Sequence, residues 1–127
     1  MNRTVLIVDD VAFVRKTLSE VLTRAGYPVV GEASSGLEAI DLFDKLNPTL
    51  MTLDAVMPLM SGVEVIRRVL EIRSDAIIVM ISAMGDESLI MESIAAGARD
   101  FILKPFREQD VVKTLDRLTG GSMERGK

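Results

Sequence analysis

The sequence predicts an α/β fold, a parallel five-stranded sheet with helices on both faces, and two observations carry that prediction. Five short apolar segments recur, at residues 4–8, 29–33, 50–53, 76–81 and 100–103, and each is followed by a stretch with helical spacing. The first, third and fourth segments are near-continuous in Val, Ile, Leu and Met, the pattern of strands covered on both faces. With short connections, successive β-α units wind right-handedly into one doubly wound layer.

The elements follow in order. After the first strand, a helix over residues 12–25 puts Val14, Leu18, Val21, Leu22 and Ala25 on one stripe and stops at Gly26, a good left-handed cap. The second strand leads to a helix over 36–46, capped by Ser34 or Ser35, with Ile40 and Phe43 inward and Pro48 closing the region. Beyond the third strand, Gly62 allows a tight entry into a helix over 63–72, which turns Val65, Ile66, Val69 and Leu70 inward. The fourth strand precedes a helix over 86–96 that ends at Gly97. The fifth precedes a helix over 108–118 that buries Val111, Val112, Leu115 and Leu118. One domain is expected over residues 1–119, and the Gly- and Ser-containing tail 120–127 is expected to be disordered.

Composition narrows the chemistry. A chain of 127 residues, 48% hydrophobic, is large enough for a real core, burying roughly two-thirds of its extended surface. There is no cysteine and no histidine, which excludes disulfides, thiolate or imidazole metal sites, Cys nucleophiles and Ser-His-Asp triads within this chain. The net charge of -4 argues against direct nucleic-acid binding, which needs a basic face. No apolar run is long enough to span a membrane, and no export leader precedes the first strand, so a cytoplasmic protein is expected.

In an open parallel sheet, ligands sit outside the carboxyl ends of the strands. Those ends carry Asp9-Asp10, Asp54, Ser82-Ala83 and Lys104-Pro105. Two like charges about 4 Å apart cost about 4 kcal/mol at an effective dielectric near 20, so three gathered carboxylates need a cation. Lys104 leaves the formal sum at -2, which one divalent ion cancels. An all-oxygen ligand set selects Mg²⁺ or Mn²⁺ over Zn²⁺. Asp54 then meets the requirements of a nucleophile toward a phosphoryl donor, with Lys104 and Ser82 placed to hold the transferred oxygens. Taken singly, each signal has a plain reading: a helix-end charge pair for Asp9-Asp10, a turn residue for Asp54, a helix cap for Ser82, a surface lysine for Lys104, core for Phe101. The constellation carries the claim.

VLIVDD at residues 5–10, LDAVMPLMSG around Asp54, ISA at Ser82 and DFILKPF at 100–106 together resemble the receiver domain of two-component response regulators, over about residues 3–118. The resemblance implies the strand order 2-1-3-4-5, which flavodoxin shares. It implies that Asp10 and Asp54 ligate Mg²⁺ directly, with the Val56 carbonyl as third protein ligand and Asp9 acting through water. Ser82 and Phe101 become the switch pair, although Phe101 lacks the hydroxyl of the commoner tyrosine, and the Lys104-Pro105 bond is expected to be cis. A histidine kinase or phosphotransfer protein would supply the phosphoryl group. The output protein would dock on the fourth helix, fifth strand and fifth helix, where Leu89, Ile90 and Phe106 are the candidate contacts.

Met57, Met60 and Met84 surround the pocket mouth and are read as loop packing ahead of a docking surface. Val56 and Met84 are apolar where rapidly dephosphorylating members carry polar residues, which predicts a long-lived phosphoryl group. The segments GEASSG and SAMG look most like single-domain chemotaxis regulators that bind a flagellar motor switch. A monomer is expected, with dimerisation on phosphorylation left open, and a regulatory phosphoacceptor that catalyses only its own phosphorylation and dephosphorylation. Two further readings stand beside this one: a degenerate receiver used as an unphosphorylated binding module, and a receiver fragment of a larger regulator. A haloacid-dehalogenase-type phosphatase would need an Asp-x-Asp pair and a cap insertion, and a flavin carrier a hydroxyl- and glycine-rich loop after the first strand; the chain has neither.

Overall fold

The computed structural model describes residues 3–120. Ten elements alternate: β1 (Val5–Val8), α1 (Ala12–Arg24), β2 (Val29–Ala33), α2 (Gly36–Leu46), β3 (Leu50–Leu53), α3 (Gly62–Ile72), β4 (Ile77–Ser82), α4 (Glu87–Ala96), β5 (Asp100–Leu103) and α5 (Glu108–Thr119). The five strands form one parallel sheet in the order β2-β1-β3-β4-β5. Every residue of β1, β3 and β4 is buried, as their unbroken apolar runs require of central strands. The edge strand β2 alternates instead, with Val30 and Glu32 outward.

Side chains on opposite faces of the sheet build two cores. Leu6, Val8, Met51, Leu53, Ile78 and Met80 point to one face, where Phe43 of α2 and Val65, Ile66 and Val69 of α3 cover them, with Leu89 of α4 packed alongside. Val5, Ile7, Leu50, Val79 and Ile81 point to the other, beneath Leu18 and Leu22 of α1 and Val111 and Leu115 of α5. Of the expected tail over residues 120–127, Gly120 is the left-handed cap of α5, and residues 121–127 lie outside the described residues.

Local chemistry sets the helix boundaries. Ser35, not Ser34, caps α2: its hydroxyl accepts from Glu38 N at 3.2 Å, while the Glu38 carboxylate accepts from Ser34 N at 2.7 Å. Ser61 caps α3 through Glu64 N, so the helix begins at Gly62, one residue before the sequence-based estimate. Asp86 stands outside α4 as its cap, accepting from Leu89 N at 2.8 Å. The fourth strand also sits one residue later than its apolar run suggests, because Ser82 still pairs with Leu103 of β5.

Candidate functional site

The register of the sheet brings the chemistry together. Val8 pairs with Leu53 across β1 and β3, so Asp9 and Asp54 leave the sheet side by side. Ser82 pairs with Leu103 across β4 and β5, and Lys104 N donates to Ser82 O at 2.9 Å, which fixes where the lysine side chain starts. Asp9, Asp10 and Asp54 each present a carboxylate oxygen, and the three oxygens lie within 4.8 Å of one another. Lys104 Nζ is 2.7 Å from Asp9 Oδ2 and 3.7 Å from Asp54 Oδ2. The Lys104-Pro105 bond is cis.

The three acids are not equivalent. Asp9 is 1% exposed and both its oxygens are engaged, Oδ1 by Val11 N at 2.9 Å and Oδ2 by Lys104. Asp10 is exposed. Asp54 is 7% exposed, and its Oδ1 accepts from Val56 N at 3.2 Å. Burial lifts the Asp54 carboxyl above its ordinary 3.8; the Val56 amide and the Lys104 charge pull it down, Asp9 pushes it up, and the Ser82 hydroxyl pulls it down. Hard oxygens, one exposed carboxylate and an uncompensated negative charge are a donor set that fits Mg²⁺.

The model for the response regulator receiver domain matches residues 5–116. This chain belongs to that family. The receiver is 44% identical to the chemotaxis protein CheY of Thermotoga maritima over 119 residues, which is 94% of this chain and 99% of that protein. It is 38% identical to the chemotaxis protein CheY of Bacillus subtilis over 117 residues, 92% of this chain and 98% of that one. Its fold matches a chain in the crystal structure of the CheX-CheY-BeF₃-Mg²⁺ complex from Borrelia burgdorferi with a TM-score of 0.87 at 33% identity, covering 91% of this chain and 88% of that chain. It is therefore a CheY-like receiver of a two-component system, and among its described residues no helix is long and apolar enough to cross a membrane.

Other expected site residues fall where their neighbours dictate. The Ser82 hydroxyl is buried and accepts from Met84 N at 3.2 Å. Phe101 is half-buried against the core under α2 to α4. Met57 is buried and Met60 packs against that same core, as loop packing requires, while Met84 is exposed at the lip. The candidate contacts Leu89, Ile90 and Phe106 are each partly buried; Leu89 packs against the core beneath α4 and Phe106 against the opposite core, where it also lines the groove beside α1. The exposed apolar side chains of the α4-β5 surface are Met91, Ile94 and Leu103.

Two features of the rim escape a strand-end reading. Phe13 is 76% exposed and, with Val14, Thr17, Ala83, Lys104, Pro105 and Phe106, lines a groove of about 390 Å³ beside the acids. A large aromatic off the apolar stripe of α1 was the available signal. Leu59 projects fully into solvent from a left-handed backbone, φ 71°, in the loop after Asp54.

Proposed function

We propose that this receiver takes a phosphoryl group onto Asp54 from a histidine kinase or phosphotransfer protein, with Mg²⁺ bound, and passes the signal to a downstream protein. The observation that carries the reading is the convergence of Asp9, Asp10 and Asp54 on one point with Lys104 reaching two of them. Asp10, Asp54 and the Val56 carbonyl would hold the ion, and Asp9, its oxygens already engaged, would act through water. Bound there, magnesium supplies the positive charge that phosphoryl oxygens need.

The rest is the work of the chain's own groups. A carboxylate oxygen of Asp54 attacks the phosphorus of a phosphoimidazole, an O–P bond forms, and the P–N bond breaks with its electron pair returning to the imidazole. Lys104 needs only a small excursion from Asp9 to meet the new phosphoryl oxygens. The Ser82 hydroxyl, which accepts from the Met84 amide, moves in to donate its own proton to a phosphoryl oxygen. That withdrawal leaves room for the Phe101 ring to move inward, which alters the α4-β5-α5 face. Met91, Ile94 and Leu103 supply apolar contact area there for the output protein.

The relatives named chemotaxis protein CheY favour a chemotaxis output, and the flagellar motor switch is the candidate partner. The protein works in the cytoplasm as a regulatory phosphoacceptor and catalyses only its own phosphorylation and dephosphorylation. All the acids and the lysine are present, so a degenerate binding module is the weaker reading. Incubation with acetyl phosphate and Mg²⁺ is expected to add one phosphoryl mass to the intact chain and none to Asp54→Ala. An adduct that persists in Asp54→Ala, or none on the unaltered chain, would overturn the proposal.

A further inference from the structure

Arg15 lies one turn into α1, at the edge of the apolar stripe beside Leu18 and Leu22, and its side chain is only 18% exposed. Its guanidinium has two partners, one just past the end of β1 and one in β2. Nη1 donates to the backbone carbonyl of Asp9 at 2.6 Å, and Nε donates to Oε1 of Glu32 in β2 at 3.2 Å. Asp9 N, in turn, makes the last rung between β1 and β2 by donating to Ala33 O at 3.1 Å. One side chain therefore ties the end of β1, the first turn of α1 and the edge strand at the peptide that joins Asp9 to Asp10.

From this geometry we infer that Arg15 is a positioning residue for the acidic pocket: it fixes the Asp9-Asp10 peptide so that both carboxylates face the point where a divalent cation binds. The inference rests on the reading of that pocket proposed above. Only arginine has donors on separate edges of one rigid plane, so it can hold a carbonyl and a carboxylate at once. Asp10 needs such support most, because its carboxylate is exposed and no hydrogen bond among the described residues fixes it.

Charge alone would act in the opposite direction. A guanidinium near a cation site repels the cation, so deleting it would tighten binding. The sign of the change in Mg²⁺ affinity therefore separates positioning from charge.

The experiment is a titration of the full chain with Mg²⁺ alone, followed through the backbone amide resonances of Asp10, Val11 and Asp54, for the unaltered protein, Arg15→Ala, Arg15→Lys and Glu32→Ala. Loss of an outer support of a metal ligand typically weakens binding about 10-fold to 100-fold, and Arg15→Ala is expected at the lower end of that range. Arg15→Lys keeps the charge and loses one of the two bonds, and is expected to weaken binding about 3-fold or more. Glu32→Ala lowers the melting temperature as Arg15→Ala does and leaves the affinity within about twofold, because the Asp9 carbonyl keeps its donor. Unchanged or tighter binding by Arg15→Ala and Arg15→Lys would overturn the role of Arg15 alone. A loss in Glu32→Ala equal to that in Arg15→Ala would reduce the effect to general stability and overturn it as well. No binding by the unaltered chain would remove the reading of the pocket, and the role of Arg15 with it.

Discussion

At the scale of single residues, the surroundings of Asp54 disfavour its charged form. Burial raises its carboxyl, and Asp9 adds like charge, while Lys104 and the Val56 amide offset only part of this. Between the ordinary value of 3.8 and the raised folded one, the native chain retains a proton that the unfolded chain has released. The contribution of this carboxyl to stability therefore falls as pH rises through that window, and at neutral pH it is destabilising. Asp54→Asn is expected to raise the metal-free melting temperature at pH 7 and to lose that advantage near pH 3, a comparison that scanning calorimetry in chelator decides. In the proposed acyl phosphate, two other positions would control water attack. Val56 and Met84 are about half exposed at the pocket lip, 52% and 54%, and neither offers a hydrogen-bonding side chain to orient a water. Val56→Asn together with Met84→Glu is expected to shorten the phosphoryl lifetime at least severalfold, read as the decay of the phosphorylated mass after acetyl phosphate is removed; an unchanged decay would discredit the idea. The acids, Ser82 and Lys104 were legible in the sequence because each ends a strand, and the topology collects strand ends. Arg15 and Phe106 were not, since what they touch depends on side-chain reach between elements far apart in sequence.

At the scale of elements, the loop from β3 into α3 shows how tightly secondary structure and site are joined. Gly62 does not serve as a residue of positive φ. A Cβ there would lie 2.8 Å from Asp54 O and 2.8 Å from Ala55 Cα, so the absence of a side chain lets α3 start directly against the backbone of Asp54. Gly62 N also donates to Ala55 O at 3.0 Å. Gly62→Ala must push the loop outward, because the obstacles are backbone atoms, and about 1–3 kcal/mol of stability is expected to go with it. Mg²⁺ affinity should fall in the same variant, since Asp54 and Val56 move with the loop; a denaturant melt and a Mg²⁺ titration on one sample check both. From sequence, Gly62 was legible as a tight helix entry, and its contact with the Asp54 carbonyl was not. Five helices and five strands were readable from periodicity because each buries a single face or lies wholly within the sheet. Their ends moved by a residue where a cap, Ser61 or Asp86, or a strand pairing, Ser82 with Leu103, took precedence over hydropathy.

At the scale of the whole molecule, the sheet gathers negative charge at the carboxyl ends of its inner strands, and the fold must bear that cost whenever no cation is bound. Five strands in the order β2-β1-β3-β4-β5 set β1 and β3 side by side at the centre, so Asp9 and Asp54 cannot separate without breaking the most buried ladder. The repulsion is thus stored in the native state and is absent from the unfolded chain, where the acids are far apart. A divalent ion that binds the folded form alone stabilises it by about 2.7 kcal/mol at a hundredfold excess over its dissociation constant. For a domain of this size that corresponds to a rise of about 10 °C in melting temperature. Mg²⁺ is expected to produce this rise in the unaltered chain, chelation to reverse it, and Asp10→Asn to abolish most of it while leaving the metal-free melting temperature equal or higher. If Asp10→Asn instead melted lower without metal and still gained the full increment from Mg²⁺, the ion would be acting elsewhere on this acidic protein. The clustered charge would then be a feature of the surface and no trigger for the switch.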